Sequence, residues 1–155
     1  MIATASAFPR AGIRARLALQ QMNHPPDAVA ESGIRVLIAD DDEPFLEALR
    51  DLIERQPELS VVGEAADGLQ AIELAEDLDP DAVVIDLHMP LLDGVTAAAR
   101  LRRDHPNVCL IVLTGDDAPA LHEAVREAGA DDVLLKDELV GALIERLAKA
   151  RRAAN

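Results

Sequence analysis

The chain has 155 residues, half of them hydrophobic, with 29 acidic residues against 15 basic ones and a formal charge of −14. This length predicts one domain, with or without a tail, and the hydrophobic content suffices for a buried core. The acidic balance argues against a general nucleic-acid binder, because phosphate backbones attract positive surfaces, and no apolar run approaches the roughly 18 residues of a membrane span.

The first 33 residues differ in composition from the rest of the chain. They carry a net charge of +1, whereas the remaining 122 residues carry −15. Their prolines and a single periodic stretch, Ile13 to Leu19, predict a flexible N-terminal extension with about two helical turns at most. An organelle transit peptide and a true start near Met22 are the alternatives for this segment.

Five apolar bursts of strand length follow, separated by stretches of helical period. They are Ile34–Ala39, Leu59–Glu64, Ala82–Ile85, Val108–Leu113 and Asp132–Leu135. The first, third and fourth have continuously apolar centres, which are typical of strands buried on both faces of a parallel sheet. The fourth contains the only cysteine, Cys109, which we expect to be a small core residue. A lone cysteine also favours a reducing, cytoplasmic compartment.

The first two predicted helices have clear starting signals. The first carries one apolar stripe, made of Phe45, Leu46, Leu49, Leu52 and Ile53. Asp41 or Asp42 caps its first turn, where Pro44 fits because no helical hydrogen bond needs its missing N–H. Asp67 caps the second helix, whose inward residues are Ala71, Ile72, Ala75 and Leu78.

Three further helices complete the alternation. The third is expected from about Val95 to Arg103, and its basic residues are expected on a solvated face. The fourth ends at Gly129 and has the inward residues Leu121, Ala124, Val125 and Ala128. The fifth spans roughly Glu138 to Arg151 and has the inward residues Leu139, Leu143, Ile144 and Leu147. Short links between strands and helices predict an α/β fold: a doubly wound, five-stranded parallel sheet with right-handed crossovers.

Polar residues stand where the predicted strands end. The first strand ends in Asp40-Asp41-Asp42, the third in Asp86, the fourth in Thr114 and the fifth in Lys136. In an open parallel sheet these ends meet at one edge, where ligands bind. Clustered carboxylates suit Mg²⁺, and a hydroxyl and an ammonium suit a phosphoryl group. The edge therefore indicates metal-assisted transfer of a phosphoryl group to a carboxylate.

Each of these features has an ordinary alternative when it is taken alone. An aspartate run before a helix is often a cap, a threonine-glycine pair is often a turn, and a lysine after a strand is usually exposed. Their coincidence at one edge of the sheet, each on the expected strand, favours the functional interpretation.

Four segments resemble the receiver domain of bacterial two-component response regulators. They are Ile34-Arg-Val-Leu-Ile-Ala-Asp-Asp-Asp42, Val83-Val-Ile-Asp-Leu-His-Met-Pro-Leu-Leu-Asp-Gly94, Ile111-Val-Leu-Thr-Gly115 and Leu134-Leu-Lys-Asp137. The resemblance covers about residues 34–152 and implies a flavodoxin-like sheet with strand order 2-1-3-4-5. It implies that Asp86 accepts a phosphoryl group from a kinase histidine, and that Thr114 and Lys136 bind phosphoryl oxygens. It also implies a Mg²⁺ site made by Asp40, Asp41, Asp86 and the main-chain carbonyl of His88.

Two features depart from the family pattern. Receivers often carry Tyr or Phe three residues before the lysine, whereas Val133 stands here, preceded by Asp132 where a small residue is common. Only 19 residues follow Lys136, which is enough for the fifth helix. We therefore expect no output domain in this chain, which is either a receiver that stands alone or one cut from a longer protein. Because Val133 stands in place of a bulky aromatic residue, switching is expected to rely on Thr114 and the loop after it. The residues expected to flank the phosphoryl group are His88 and Asp116.

The resemblance also implies partners. A histidine kinase or phosphotransfer protein is the expected phosphodonor, and a downstream protein is expected on the face of the fourth helix, fifth strand and fifth helix. The expected apolar anchors of this face are Leu121, Val125 and the residues Leu139 to Ile144. A homodimer is possible, direct nucleic-acid or membrane binding is not expected, and the chain is expected in the cytoplasm and not to be an enzyme.

Two alternative functions stay open. One is a phosphorylation-independent adaptor, against which the intact set of site residues argues. The other is an aspartyl-phosphate phosphohydrolase, a class of enzymes with an Asp-x-Asp pattern at the end of the nucleophile strand. Here His88 stands two residues after Asp86, where that pattern has its second aspartate, which argues against this function.

Overall fold

Alternating strands and helices fill residues 33–154, the part of the chain that the structure, a computed structural model, describes. The predicted N-terminal extension lies outside the described residues apart from Gly33. None of the helices between residues 33 and 154 has the length and hydropathy of a membrane span.

The observed elements agree with the predicted ones to within a few residues. The strands are β1 (Ile34–Ala39), β2 (Leu59–Ala65), β3 (Ala82–Asp86), β4 (Cys109–Thr114) and β5 (Asp132–Leu135). The helices are α1 (Glu43–Glu54), α2 (Gly68–Leu78), α3 (Gly94–Asp104), α4 (Pro119–Ala128) and α5 (Leu139–Ala154), with a 3-10 turn, Lys136–Glu138, before α5. Both β3 and β4 extend one residue beyond the predicted end, so that Asp86 and Thr114 are their last residues.

The five strands form one parallel sheet in the order β2-β1-β3-β4-β5, which confirms the expected order. Every residue of β3 is buried, and β1 and β4 each contain one half-buried residue. The continuous apolar runs are therefore strands covered on both faces. Cys109, at the start of β4, is half-buried and packs against the core instead of lying inside it, which corrects the expectation for this residue.

Helix starts follow from short-range hydrogen bonds. Of the two candidate caps of α1, Asp42 is the one observed: its Oδ1 accepts from the N–H of Phe45 at 3.4 Å. Asp67 caps α2 as predicted, since its Oδ1 accepts from the N–H of Gln70 at 2.8 Å. Helix α4 begins after Ala118 without a side-chain cap. Its first turn is therefore less firmly anchored than those of α1 and α2.

Helix α4 is also the helix that differs most from prediction. Val125 is its one buried residue, Leu121 and Ala128 are half-buried, and Ala124 is exposed. Helices α1, α2 and α3 each bury three or more residues. A single buried side chain gives α4 little apolar area against the rest of the domain.

Arg102 of α3 is not the solvated residue that the sequence predicted. Its guanidinium donates to the carbonyls of Gly129 at 2.9 Å, Pro106 at 2.8 Å and Val108 at 2.9 Å. It also contacts the carboxylate of Asp131 at 2.7 Å. These bonds join α3, the end of α4 and the segment before β5, so Arg102 is a structural residue.

Candidate functional site

The candidate site lies at the carboxyl edge of the sheet, where β1, β3, β4 and β5 end. Asp40 follows β1, Asp86 ends β3, Thr114 ends β4 and Lys136 follows β5. The sheet order places β3 between β1 and β4. Residues far apart in sequence are thus brought to one edge, as the sequence predicted.

Three carboxylates form the negative part of the site. Asp40 and Asp86 are 1% and 4% exposed, whereas Asp41 is exposed. One oxygen of each of the three carboxylates lies within 4.8 Å of the others. Backbone amides orient the two buried carboxylates: the N–H of Asp42 donates to Asp40 Oδ1 at 2.9 Å and that of His88 donates to Asp86 Oδ2 at 3.1 Å.

Lys136 supplies the positive charge. Its Nζ lies 2.8 Å from Asp40 Oδ2 and 2.9 Å from Asp86 Oδ1, so that one ammonium bridges the two buried carboxylates. Burial alone lowers the pKa of Lys136, but its hydrogen bonds to Asp40 and Asp86 outweigh burial and raise the pKa above its usual value. The lysine is therefore a fixed cation of the site.

The site has more negative than positive charge. Burial foremost, together with the negative charge of Asp86, raises the pKa of Asp40, although hydrogen bonds from Lys136 and the N–H of Asp42 oppose this rise. The one lysine thus does not fully compensate the carboxylates. Clustered carboxylate oxygens with an exposed side at Asp41 suit a hard divalent cation that keeps several waters, which is the preference of Mg²⁺. The donor set therefore fits the predicted metal.

Thr114 is completely buried at the end of β4. Its Oγ accepts a hydrogen bond from the N–H of Asp116 at 3.0 Å, so the hydroxyl hydrogen is left to donate elsewhere. The loop that follows is tied to α4: the Asp116 carboxylate accepts from the N–H of Ala118 at 3.0 Å, and the ring of His122 contacts the Asp116 carbonyl at 2.7 Å. Thr114 is therefore connected through Asp116 to Ala118 and His122 at the start of α4.

The segment between β3 and α3 is held by close backbone approaches. The N–H of Gly94 donates to the carbonyl of Leu87 at 2.8 Å, and a Cβ at Gly94 would lie 2.6 Å from the Leu87 Cα. A Cβ at Gly68 would lie 2.4 Å from the carbonyl oxygen of Leu92. Asp93 caps α3 through the N–H of Thr96 at 2.9 Å. The Asp93-Gly94 pair, which ends the second of the four family segments, is therefore needed to fold the segment after Asp86.

Val133 and Asp132, the two residues that depart from the family pattern, both lie in the interior of the domain. Val133 is buried. Asp132 is also buried, and its carboxylate pairs with Arg126 of α4 at 3.4 Å and with Arg146 of α5. The aspartate thus joins β5 to both neighbouring helices. The sequence shows the unusual position of Asp132 but not these partners, which lie on separate elements.

The prediction of apolar anchors on the face of α4, β5 and α5 is wrong in part. Val125 and Leu143 are completely buried, so neither is able to contact a partner. Leu121 and Ile144 are half-buried and stay candidates. The side chain of Leu139 lies outside the described residues.

The backbone at His88 is placed beside the acceptor by its bond to Asp86, while its side chain is exposed. The role of its carbonyl as a metal ligand stays a prediction. Gly115 has no neighbouring heavy atom within 4 Å of a Cβ built on it, and Asp116 is exposed. The edge beside Thr114 is therefore open.

Two curated proteins are similar in sequence to this chain. The nitrate/nitrite response regulator protein NarP of Escherichia coli (strain K12) is 40% identical over 113 residues, which are 73% of this chain and 53% of that protein. The transcriptional regulatory protein DegU of Brevibacillus brevis is 35% identical over 119 residues, 77% of this chain and 50% of that protein. The chain thus spans about half the length of these two relatives.

Solved structures agree with the sequence relatives. The signal receiver domain of the response regulator NarL from Mycobacterium tuberculosis has a TM-score of 0.74 and 29% identity, and the match covers 78% of this chain and 98% of that one. The family model of the response regulator receiver domain matches residues 36–148, a range that contains every residue of the candidate site. The chain therefore belongs to the response regulator receiver domain family of two-component systems.

Proposed function

We propose that this chain is a phosphorylatable switch in which Asp86, with Mg²⁺ bound, accepts a phosphoryl group from the histidine of a kinase or phosphotransfer protein. The observation that carries the proposal is the geometry around Asp86. Its buried carboxylate lies 2.9 Å from the Lys136 ammonium and belongs to the cluster with Asp40 and Asp41. This is a nucleophile flanked by groups that stabilise transferred negative charge.

The transfer assigns a task to each residue of the site. An oxygen of the Asp86 carboxylate attacks phosphorus, the P–N bond to the donor histidine breaks, and its electron pair stays on the imidazole. The Thr114 hydroxyl donates to one phosphoryl oxygen and Lys136 pairs with another. Asp40, Asp41, Asp86 and the His88 carbonyl would hold Mg²⁺, which supplies neutralisation of the phosphoryl charge when bound.

The switch itself is proposed for the loop after Thr114 and for α4. Thr114 is linked through Asp116 to Ala118, the residue before α4, and to His122 within it. Helix α4 buries a single residue and has no side-chain cap. The small apolar area that α4 buries lowers the cost in free energy of moving it. The face made by α4, β5 and α5 is then the contact surface for a downstream protein or a second copy of the chain.

The remaining parts of the proposal concern the whole chain. We take residues 34–152 as the receiver and residues 1–33 as an extension. The chain acts as a phosphoacceptor and not as an enzyme on a separate substrate, and it does not bind nucleic acid or membrane directly. The net charge of −14 and the single cysteine favour a protein partner and a cytoplasmic location.

Incubation with a small phosphodonor tests the acceptor role. With Mg²⁺ and phosphoramidate, the intact mass should rise by one phosphoryl group that is stable in acid and labile in base and maps to Asp86. Asp86→Asn and chelation of Mg²⁺ should each abolish the gain. An unmodified wild-type chain would contradict the proposal and favour a phosphorylation-independent adaptor.

A further inference from the structure

An aromatic ring covers the ammonium of Lys136 on the side of α1. Lys136 Nζ lies 4.4 Å from the centroid of the Phe45 ring, within the distance at which a cation is attracted to the negative face of an aromatic ring. The chain contains two aromatic residues, Phe8 and Phe45. The one aromatic residue of the receiver therefore contacts the one lysine of the site.

A closed set of contacts connects Phe45 to Asp40, Asp42 and Lys136. Asp40 accepts a hydrogen bond from Lys136 at 2.8 Å and another from the N–H of Asp42 at 2.9 Å. Asp42 caps α1 by accepting from the N–H of Phe45 at 3.4 Å. The Phe45 ring then returns to Lys136. The start of α1 is thereby tied to both charged groups of the site.

The contacts of Lys136 do not all survive phosphorylation. A cation bound at the carboxylates competes with Lys136 for Asp40, and formation of the acyl phosphate on Asp86 removes the negative charge of its carboxylate. Both groups lie within 2.9 Å of the ammonium before the reaction. The ring of Phe45 takes no part in either change. It is the contact that continues to hold the ammonium close to the new phosphoryl oxygens.

We propose that Phe45 is a positioning residue for phosphoryl transfer. Its ring holds the Lys136 ammonium in place while Asp40 turns from Lys136 to the metal and Asp86 loses its charge to the phosphoryl group. This role rests on the proposed function of Asp86 as the acceptor. Phe45 is half-buried against the core, and the Lys136 side chain is 28% exposed. Partial exclusion of water strengthens the attraction between ring and ammonium.

Phosphorylation rates of matched variants test this role. Phe45→Leu keeps an apolar side chain and removes the ring, whereas Phe45→Tyr keeps the ring. With phosphoramidate and saturating Mg²⁺, Phe45→Leu should be phosphorylated about 3- to 10-fold more slowly than wild type, and Phe45→Tyr should be close to wild type. In a Lys136→Ala background, Phe45→Leu should change the rate by less than about 2-fold, because its effect passes through the lysine. Thermal unfolding of each variant shows that it is folded.

Nuclear magnetic resonance tests the contact itself without phosphorylation. The chain has two lysines, Lys136 and Lys149, so selective labelling gives two sets of ε-methylene signals. The ring should move the Lys136 signals upfield of those of Lys149, and Phe45→Leu should remove this displacement while Phe45→Tyr retains it.

The possible outcomes separate this role from the proposed function. Lys136 signals without an upfield displacement in the wild type would overturn the role of Phe45. So would a wild-type chain that is phosphorylated no faster than Phe45→Leu, or an equal loss in the Lys136→Ala background. A wild-type chain that takes up no phosphoryl group would overturn the proposed function, and this role with it.

Discussion

The three carboxylates of the site differ in what they contribute to the fold. Asp40 and Asp86 are buried and each accepts hydrogen bonds from the backbone and from Lys136, so their loss would leave the half-buried ammonium of Lys136 without carboxylate partners. Asp41 is exposed, and its main electrostatic effect in the absence of metal is repulsion of the other two. It is therefore the carboxylate at which metal binding and folding are best separated.

Asp41→Ala should abolish Mg²⁺-dependent phosphorylation while leaving the melting temperature equal to that of the wild type or higher. The reason is that the substitution removes a metal ligand and a like-charge repulsion together. Thermal unfolding without metal and phosphoramidate labelling with metal are the two measurements. A variant that melts at a lower temperature and is labelled normally would show that Asp41 is a structural residue.

Cys109 is expected to react slowly with alkylating reagents. Burial raises the pKa of its thiol from 9.0 to about 11, and because the thiolate is the nucleophile, the reactive fraction at pH 8 falls about 100-fold. Cys109 borders an open cleft at the amino edge of the sheet, so access alone does not prevent reaction. The rate with iodoacetamide should rise with pH toward a midpoint near 11 in the folded chain. A midpoint at or below 9 in the folded chain would contradict this environment.

The segment between β3 and α3 depends on a glycine that has no room for a side chain. A Cβ at Gly94 would lie 2.6 Å from the Leu87 Cα, which is backbone and not a flexible side-chain end. Gly94→Ala should therefore lower the free energy of unfolding by about 1–3 kcal/mol. The control is Gly141→Ala in α5, where nothing lies within 4 Å of the added Cβ, and alanine favours the helix by up to about 1 kcal/mol. Equal denaturation midpoints for the two variants would refute the steric explanation.

The ion pairs of Asp132 connect β5 to the helices on both sides. Its carboxylate is 11% exposed, while Arg126 is 52% and Arg146 is 44% exposed. Asp132→Asn should lower the free energy of unfolding by about 1–3 kcal/mol, because the buried side chain loses the negative charge that pairs with Arg126 and Arg146. Arg126→Gln should cost less than about 1 kcal/mol, since water solvates the exposed arginine.

A double-mutant cycle between Asp132 and Arg146 checks the origin of that loss. Chemical denaturation of both single variants and the double variant should give a favourable coupling energy above about 0.5 kcal/mol. Strictly additive effects would indicate that Asp132 stabilises β5 without its pair with Arg146, and that this pair does not join β5 to α5.

Much of the fold was predictable because local patterns determine it. The continuous apolar runs of β1, β3 and β4 identified buried parallel strands. The ends of these strands and of β5 placed Asp40, Asp86, Thr114 and Lys136 at one edge. The strand order and the family followed from the resemblance of the same segments. Sequence periodicity was sufficient here since each of these strands is covered on both faces.

Features that depend on contacts between distant elements were not predictable in this way. The inward face of α4 was misassigned because helical period does not tell how closely a helix approaches the sheet, and α4 buries only Val125. Arg102 was expected on a solvated face, and the ion pairs of Asp132 were not foreseen, because the partners of both residues lie on other elements. The contact of Phe45 with Lys136 likewise joins the start of α1 to the residue after β5. Apolar and charged residue types alone do not reveal such pairings.

The proposed switch links the carboxylate site to the face of α4, β5 and α5, and a map of backbone amide shifts on addition of a phosphoryl mimic examines this link. With Mg²⁺, beryllium and fluoride, the signals of Asp40, Asp86 and Lys136 should change, and the changes should extend through Thr114 into residues 117–145. The extension is expected because Thr114, Asp116 and α4 are joined by hydrogen bonds, and α4 is weakly anchored. Changes confined to the carboxyl edge around Asp40, Asp41 and Asp86, with none in residues 117–145, would contradict the switch.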